Sequence, residues 1–347
     1  MSIKIIQVGA GIRGRHWAEF VKAHADVECV ALVEPDADAR RQAETLIGQP
    51  GCEYFADLDE ALGRTQADAA LVVSPSATHA DVAGQCVAAG LHVMVEKPLA
   101  TTIADAGRLV EVARANERHV IVAENYRFWP AEQTIQRLLG EQFLGKIDNA
   151  VMIDRRHQPS HTEGPWLSKI EYPQLQEIAT HHFDSLRAFF GAQPSSISLR
   201  CWNPPWTDYA HGANTEALID FGHIHVQYIA TLLSHRYAFS LYIEGERGAI
   251  WTNRKLVFWR PKGSRLFRYI RNDKVPKGDE RSYPQGGTTS LLNSLRDAVQ
   301  QDKRAATAAD DNIWTIAMVE AGKIADREKR SVAISEVYAP AQPGSSA

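Results

Sequence analysis

The octapeptide EIATHHFD, Glu177 to Asp184, places two adjacent histidines between two carboxylates. An imidazole exchanges protons near neutral pH and a carboxylate can orient it, so the pattern suits acid–base chemistry. Pro173 fits the first turn of a helix and Gly191 fits its end, which predicts a helix of about four turns between them. With roughly 3.6 residues per turn, Glu177, His181 and Asp184 share one face while His182 points elsewhere. Phe183, Leu186 and Phe190 form a neighbouring apolar stripe. On these residues alone the trio is either a proton-exchange site or the hydrogen-bonded polar side of a helix.

A second constellation lies at the start of the chain. In QVGAGIRGRHWAEF, Gly9, Gly11 and Gly14 have G-x-G-x-x-G spacing, directly after a strand-like run and at the head of a helix. Gly9 permits a tight turn, Gly11 lets the backbone approach a pyrophosphate, and Gly14 allows close helix packing. The helix start then offers amide donors and a favourable dipole, so Gly9, Gly11, Ile12, Arg13 and Gly14 are the expected cofactor-binding loop. Glu34 ends the next strand about 20 residues on, where a carboxylate accepts hydrogen bonds from both ribose hydroxyls of an adenosine and repels a 2′-phosphate. NAD is therefore the expected cofactor. Arg40 and Arg41 would reach back to that phosphate position only if the following helix begins close to it.

These residues need a scaffold. IKIIQVGA, VECVALVE, AALVVS, HVMVE and HVIVAE are short β-branched runs separated by Ala-rich helical stretches. That alternation predicts an α/β fold with a doubly wound parallel sheet over residues 1–123. After Glu124 longer strand patterns follow, among them NAVMIDRR, EALIDFG, HVQYIATLL and YAFSLYIEG. They predict a second, α+β domain over 124–338 with a large open, mainly antiparallel sheet. TSLLNSLRDAVQ and NIWTIAMVEAGKIADREKR form a last helical block before a polar tail at 339–347.

The 347 residues suffice for two cores, and a net charge of −4 implies no general affinity for nucleic acid. The first residues run straight into a strand, and no apolar run reaches spanning length, so neither signal peptide nor membrane span is expected and a cytoplasmic protein is. Cys29, Cys52, Cys86 and Cys201 are scattered without a C-x-x-C pair, as for buried thiols in a reducing compartment. His157 with His161, and His223 with His225, lack an acidic third ligand in a metal-binding pattern, so no metal is expected. The basic and aromatic segment from Arg254 to Lys274 fits a solvated sheet face or subunit contact better than a nucleic-acid surface.

VEKPLATT brings these features together. The glycine loop, a strand ending in Glu96-Lys97-Pro98, the carboxylate-x-x-x-His-x-x-Asp pattern and the Leu-Gly-Lys-Ile before the second domain together resemble the Gfo/Idh/MocA oxidoreductase family over nearly the whole chain. SPSATHADVAGQCVAAGLHVMVEKPLA resembles that family's nicotinamide-side segment, which implies that Ser74, Pro75, His79, Glu96 and Lys97 line the cofactor. NYRFWPAEQTIQRLLGEQFLGKI resembles its linker helix, with Arg127 either near the cofactor or structural.

The resemblance implies that Lys97 stabilises alkoxide character on the substrate oxygen while His181 exchanges the hydroxyl proton. It further implies that Glu177 partners His181 or faces substrate, although the family usually has Asp there. Asp184 orients the helix or binds a substrate hydroxyl. One of Arg155 and Arg156 faces the site, with Arg155 taken as the substrate-binding one, and Trp166 packs on a sugar ring or sits in the core. The implied activity is hydride transfer to NAD from a sugar or polyol, D-apiose or a related aldose among them, with substrate over the carboxyl ends of the parallel strands. A reductase of a keto or imino substrate and a non-catalytic NAD-binding regulator are the alternatives. A homodimer or homotetramer through the second domain's open sheet is implied as well.

Overall fold

A computed structural model of the protein describes residues 2–48, 51–158, 165–281 and 283–340. The chain opens as β1 (Ile3–Val8), α1 (Ile12–Ala23), β2 (Val27–Val33), α2 (Ala37–Ile47), β3 (Glu53–Phe55), α3 (Leu58–Arg64), β4 (Ala69–Val72), α4 (His79–Ala88), β5 (His92–Val95), α5 (Ile103–Ala115) and β6 (Val120–Val122). The six strands pair in parallel in the order β3-β2-β1-β4-β5-β6. Strands covered on both faces carry continuous apolar runs, and Ile5, Ile6, Leu71 and Met94 are fully buried. Side chains cap the starts of α2 and α5: Asp36 accepts from Ala39 N at 2.7 Å and Thr102 from Asp105 N at 3.1 Å. Strand order reverses between β1 and β4, the switch point where open α/β sheets bind ligands.

The next stretch runs α6 (Pro130–Gly140), β7 (Ile147–His157), α7 (Pro165–Lys169), a π-helical segment (Gln174–Ala179) and α8 (Thr180–Phe190). It continues as β8 (Ser196–Trp202), β9 (Asn214–Phe221), β10 (Ile224–Thr231), β11 (Leu233–Gly245), β12 (Gly248–Thr252), β13 (Val257–Pro261) and β14 (Arg268–Ile270). After α9 (Thr288–Gln301) and α10 (Ala309–Glu328), β15 (Ser331–Ala333) completes a nine-stranded sheet, β14-β13-β12-β11-β7-β10-β9-β8-β15. Its ladders are antiparallel except the central β7–β10 pair, which is parallel. Burial alternates along β9 and β10, so one face is covered and the other carries exposed Leu218 and Ile229. Tyr228 on the covered face packs its ring against Phe183 and His182 of α8.

The domain boundaries differ from the sequence-based ones. One unit comprises Met1–Trp129 with Val275–Ile316, and the other Pro130–Lys274 with Ala317–Ala347. The 123/124 boundary is off by only a few residues, but the second domain is not continuous. Leu291, Leu292, Leu295 and Ala298 of α9 join the same core as Ile5, Trp17 and Leu71. A leucine stripe shows that a helix must be buried without showing against which sheet. Most of the polar tail, 341–347, lies outside the described residues. No helix among the described residues is long and apolar enough to cross a membrane.

Candidate functional site

In the first unit the loops after β1 and β4 meet. A Cβ on Gly9, whose φ is +106°, would lie 2.5 Å from the Val73 carbonyl oxygen and 2.8 Å from Ser74 N. Only glycine adopts that conformation so close to a neighbouring backbone. A Cβ on Gly14 would lie 2.3 Å from the Gly9 carbonyl oxygen, so close seating of α1 on the loop also demands glycine. Gly11 is different, because a Cβ there would meet nothing within 4 Å. The chain's own packing gives no reason for glycine at that position, whereas a group brought against the backbone does. Gly11 is the N-cap of α1, makes no side-chain cap, and no acidic residue follows in the first turn. The turn's amides and dipole are therefore arranged to suit an anion such as a pyrophosphate.

Glu34 fixes the other end of this edge. Its Oε2 accepts from Ala10 N at 2.8 Å and its Oε1 from Asp36 N at 3.0 Å, which pins a half-buried carboxylate beside the glycine loop. Lone pairs remain for ribose hydroxyls. Arg40, on the first turn of α2, reaches back to donate to the Glu34 and Pro35 carbonyl oxygens, while Arg41 pairs with Asp38. The glycine loop and the carboxylate thus both fit an NAD molecule.

Lys97 follows β5 at the same carboxyl edge, and Glu96 beside it is an anchor. The Glu96 carboxylate accepts from Arg13 Nε at 2.5 Å, Trp17 Nε1 at 2.8 Å and Lys97 N at 3.0 Å. Burial would raise its pKa, but the Arg13 guanidinium, the Trp17 N–H and the Lys97 charge outweigh burial and hold it at about 2. Arg13 also donates to Pro284 O at 3.1 Å and lies against the rings of Trp17 and Tyr283. His79 is buried, with Nδ1 2.7 Å from Pro98 O and Nε2 2.9 Å from Ser74 O, so it ties the loop after β4 to the one after β5. The structure engages Glu96, Arg13 and His79 in holding Lys97 and the loops in place. Ser74 is half-buried there, while Pro75 and Ile12 are exposed.

In the second unit the expected helix exists, ending at Gly191 with φ +58°, but it starts as a π-helical segment that holds Glu177. Widened turns of this kind recur at functional sites. His181 is buried at 7% exposure and His182 completely. Gln174 Nε2 donates to the Tyr228 hydroxyl at 2.8 Å, and His182 Nδ1 lies within hydrogen-bond distance of the same hydroxyl at 2.9 Å. His182 Nε2 faces Asp154 Oδ2 at 3.7 Å. Burial, with Arg254 and Arg156 nearby, lowers the His182 pKa well below the usual imidazole value, so this ring stays neutral. Asp184 is buried with Arg187 Nη1 at 3.6 Å from its carboxylate, which favours its helix-orienting role.

Several sequence-based assignments change. Arg155 is exposed, and it is Arg156 that shares a strand face with Asp154, bonded to it at 2.6 Å. Strand parity, fixed by the pairing of β7 with β10, decides this. Arg127 donates to Ala306 O at 2.8 Å and Asp311 at 2.9 Å, so its buried guanidinium has the structural of its two readings. His161 and the side chain of Trp166 lie outside the described residues. Among the described residues no group of three or more His, Cys, Asp or Glu could hold a metal ion. Gln174 and Tyr228, which hold the buried His182 ring, were not singled out, and periodicity offers no signal for them.

Comparisons with known proteins agree with this geometry. Residues 3–124 match the GFO_IDH_MocA family, described as an oxidoreductase family with an NAD-binding Rossmann fold. An uncharacterized protein of Sinorhizobium fredii, y4oX, is 28% identical over 64% of this chain and 63% of its own length. Inositol 2-dehydrogenase of an Arthrobacter species is 24% identical over 57% of each chain. The chain thus spans somewhat more than half the length of these curated relatives. An oxidoreductase from Agrobacterium radiobacter, crystallised with NAD+, L-tartaric acid and magnesium, superimposes with a TM-score of 0.88 over 97% of this chain and all of its own. At 15% identity that likeness speaks for the fold. Residues 3–124, with their parallel six-stranded sheet and glycine loop, thus match the NAD-binding Rossmann fold described for the Gfo/Idh/MocA oxidoreductase family.

Proposed function

We propose that the protein is an NAD-dependent dehydrogenase that oxidises a secondary alcohol or a cyclic hemiacetal of a sugar or polyol to a ketone or lactone. The observation that carries this reading is the placement of Lys97, directly after the anchored Glu96, at the same sheet edge as the glycine loop and Glu34. When bound, the nicotinamide supplies the acceptor for the substrate's hydride. Lys97 holds the substrate oxygen and stabilises its developing negative charge. His181 takes the hydroxyl proton, with Glu177 as its partner or as a ligand of a substrate hydroxyl. His182, held neutral by its buried partners, keeps the helix in place and exchanges no proton.

The inositol 2-dehydrogenases among the relatives support a polyol or sugar substrate, and D-apiose or a related aldose belongs to the class we propose. The exposed Leu218 and Ile229 support a homodimer or homotetramer through the open face of the nine-stranded sheet. The test is a panel of free aldoses, polyols and sugar acids with NAD, followed by NADH absorbance. Turnover of at least one is expected. Tight NAD binding with no turnover on any of them, unchanged in Lys97→Ala, would replace the dehydrogenase with an NAD-binding regulator.

A further inference from the structure

The four cysteines are far apart in the sequence, but two of them meet in the fold. Cys29 is buried on β2, and Cys52 lies half-buried just before β3, with their sulfur atoms 3.9 Å apart and both thiols free. The strands pair from Ala31 with Glu53 onward, so the two cysteines sit at the mouth of one parallel ladder. The usual spacing of neighbouring strands, about 4.8 Å, falls within the Cα separations that a disulfide spans. Closing the bond takes an approach of roughly 2 Å between the sulfurs. It involves β3, an edge strand of three residues that has only one neighbour to hold it.

We propose that Cys29 and Cys52 are a site of reversible oxidation, forming an intramolecular disulfide with hydrogen peroxide as the oxidant. The Cys52 thiolate attacks one peroxide oxygen, breaking the O–O bond, to give a sulfenic acid and a hydroxide that leaves as water. Cys29 then attacks the sulfenic sulfur and expels a second water, so two thiols and one peroxide become one disulfide and two waters. Cys52 is suited to attack first. It is the more exposed of the two, and the hydrogen bond to Cys29, with the Tyr54 hydroxyl nearby, pulls its pKa below the usual thiol value against the effect of burial. Cys86 and Cys201 lack such a neighbour, and burial pushes each to about 12.

The loop so closed, from 29 to 52, holds Glu34 and all of α2. Glu34 N donates to Phe55 O at 2.9 Å, so stapling β3 to β2 also fixes the backbone of the ribose-binding carboxylate.

The test treats the full chain with hydrogen peroxide, alkylates the remaining thiols and maps peptides by mass spectrometry. Two of the four thiols should disappear, with a mass loss of about 2 Da, in a peptide linking Cys29 to Cys52 that dithiothreitol releases. Cys86 and Cys201 should stay alkylatable. The melting temperature of the wild type should rise on oxidation and return on reduction, while Cys52→Ser shows neither change. Cys29→Ser should trap Cys52 as a sulfenic acid that a dimedone probe captures. Four alkylatable thiols after treatment, or oxygen added to Cys52 of the wild type with no cross-link, would overturn the proposal.

Discussion

A buried glutamate meets an arginine in each unit, Glu96 with Arg13 and Glu132 with Arg254, and the two carboxylates end with opposite charge preferences. Glu96 in the first unit accepts three hydrogen bonds, from Arg13, Trp17 and Lys97, and is held at about 2 although burial works against it. Glu132 in the second unit has Arg254 Nε only at 3.4 Å, and its Oε2 has no hydrogen-bond partner among the described residues. Burial raises it to about 7, helped by Asp184, although Arg254 and Ser185 oppose the rise. The Arg254 guanidinium lies 3.7 Å over the Phe239 ring. The number and aim of the donors, more than the presence of an arginine, set the charge of a buried carboxylate. Each pair underlies one candidate catalytic side chain, since Glu96 precedes Lys97 and Glu132 lies against the helix of His181.

The largest expected effects test those two side chains. Lys97→Ala should lower kcat about a hundredfold or more, since one lost oxyanion stabiliser costs roughly 3 to 4 kcal/mol, and should leave NAD affinity nearly unchanged. His181→Asn keeps the side chain's size without its proton exchange and should slow turnover by about two to four orders of magnitude, flattening the pH profile. Steady-state kinetics with NAD titration measures both. Activity of Lys97→Ala within about threefold of wild type removes it from the mechanism.

Next come the two glutamates themselves. The Glu96 pKa is depressed on folding, so its contribution of about 3 kcal/mol is present above the unfolded value near 4.5 and is lost as pH falls toward 2. Glu132 has the opposite sign. Its raised pKa gives stability that is full below about 4.5 and is lost as pH rises through about 7, again by roughly 3 kcal/mol. Glu96→Gln should therefore destabilise the protein at neutral pH and matter little near pH 2. Glu132→Gln should gain on the wild type as pH rises from 4.5 to 7. Denaturant midpoints over that range decide it, and parallel curves for the two variants would erase the contrast between the units.

Much of the first unit was legible in the sequence because its demands are local. A parallel sheet buried on both faces leaves continuous apolar runs, and Gly9 and Gly14 are where backbone meets backbone. The strand of Glu53–Phe55 was missed because three residues carry no periodicity. The second unit was legible only in outline, because its chemistry depends on register. Whether Arg155 or Arg156 turns inward follows from pairing with Thr231 and its neighbours, which a single strand's residue types cannot reveal. The return of α9 to the first core, the Glu96–Arg13 bond and the meeting of Cys29 with Cys52 join residues distant in the chain, and spacing does not encode them.

Cofactor choice sharpens the picture of the first unit. The pinned Glu34 carboxylate should repel a 2′-phosphate by a few kcal/mol, giving a preference for NAD of roughly a hundredfold. Arg40 reaches back to the end of β2, where it donates to the Glu34 and Pro35 carbonyl oxygens. Glu34→Ser should therefore bring the two cofactors near parity by admitting NADP to Arg40, and adding Arg40→Ala should remove that gain. The ratio of kcat/KM values for NAD and NADP is the readout. Parity in the unmodified protein would show that Arg40 already outweighs Glu34.

The smallest effect separates what the fold requires from what a ligand requires. Gly9 and Gly14 serve the chain's own packing, and substitution at either forces backbone apart. At Gly11 the backbone has φ −60° and ψ −170°, which alanine adopts, and its added methyl meets open space. Gly11→Ala should then change stability by no more than about 1 kcal/mol, the scale of an N-cap exchange. The methyl would occupy the room in which a pyrophosphate approaches the first turn of α1, so NAD affinity should fall by about tenfold, or 1.4 kcal/mol. Thermal melting with and without NAD separates the two quantities: the apo curves should nearly coincide while the variant's NAD-induced shift shrinks. An equal shift in both proteins would mean that the space beside Gly11 is not where the cofactor's phosphates lie.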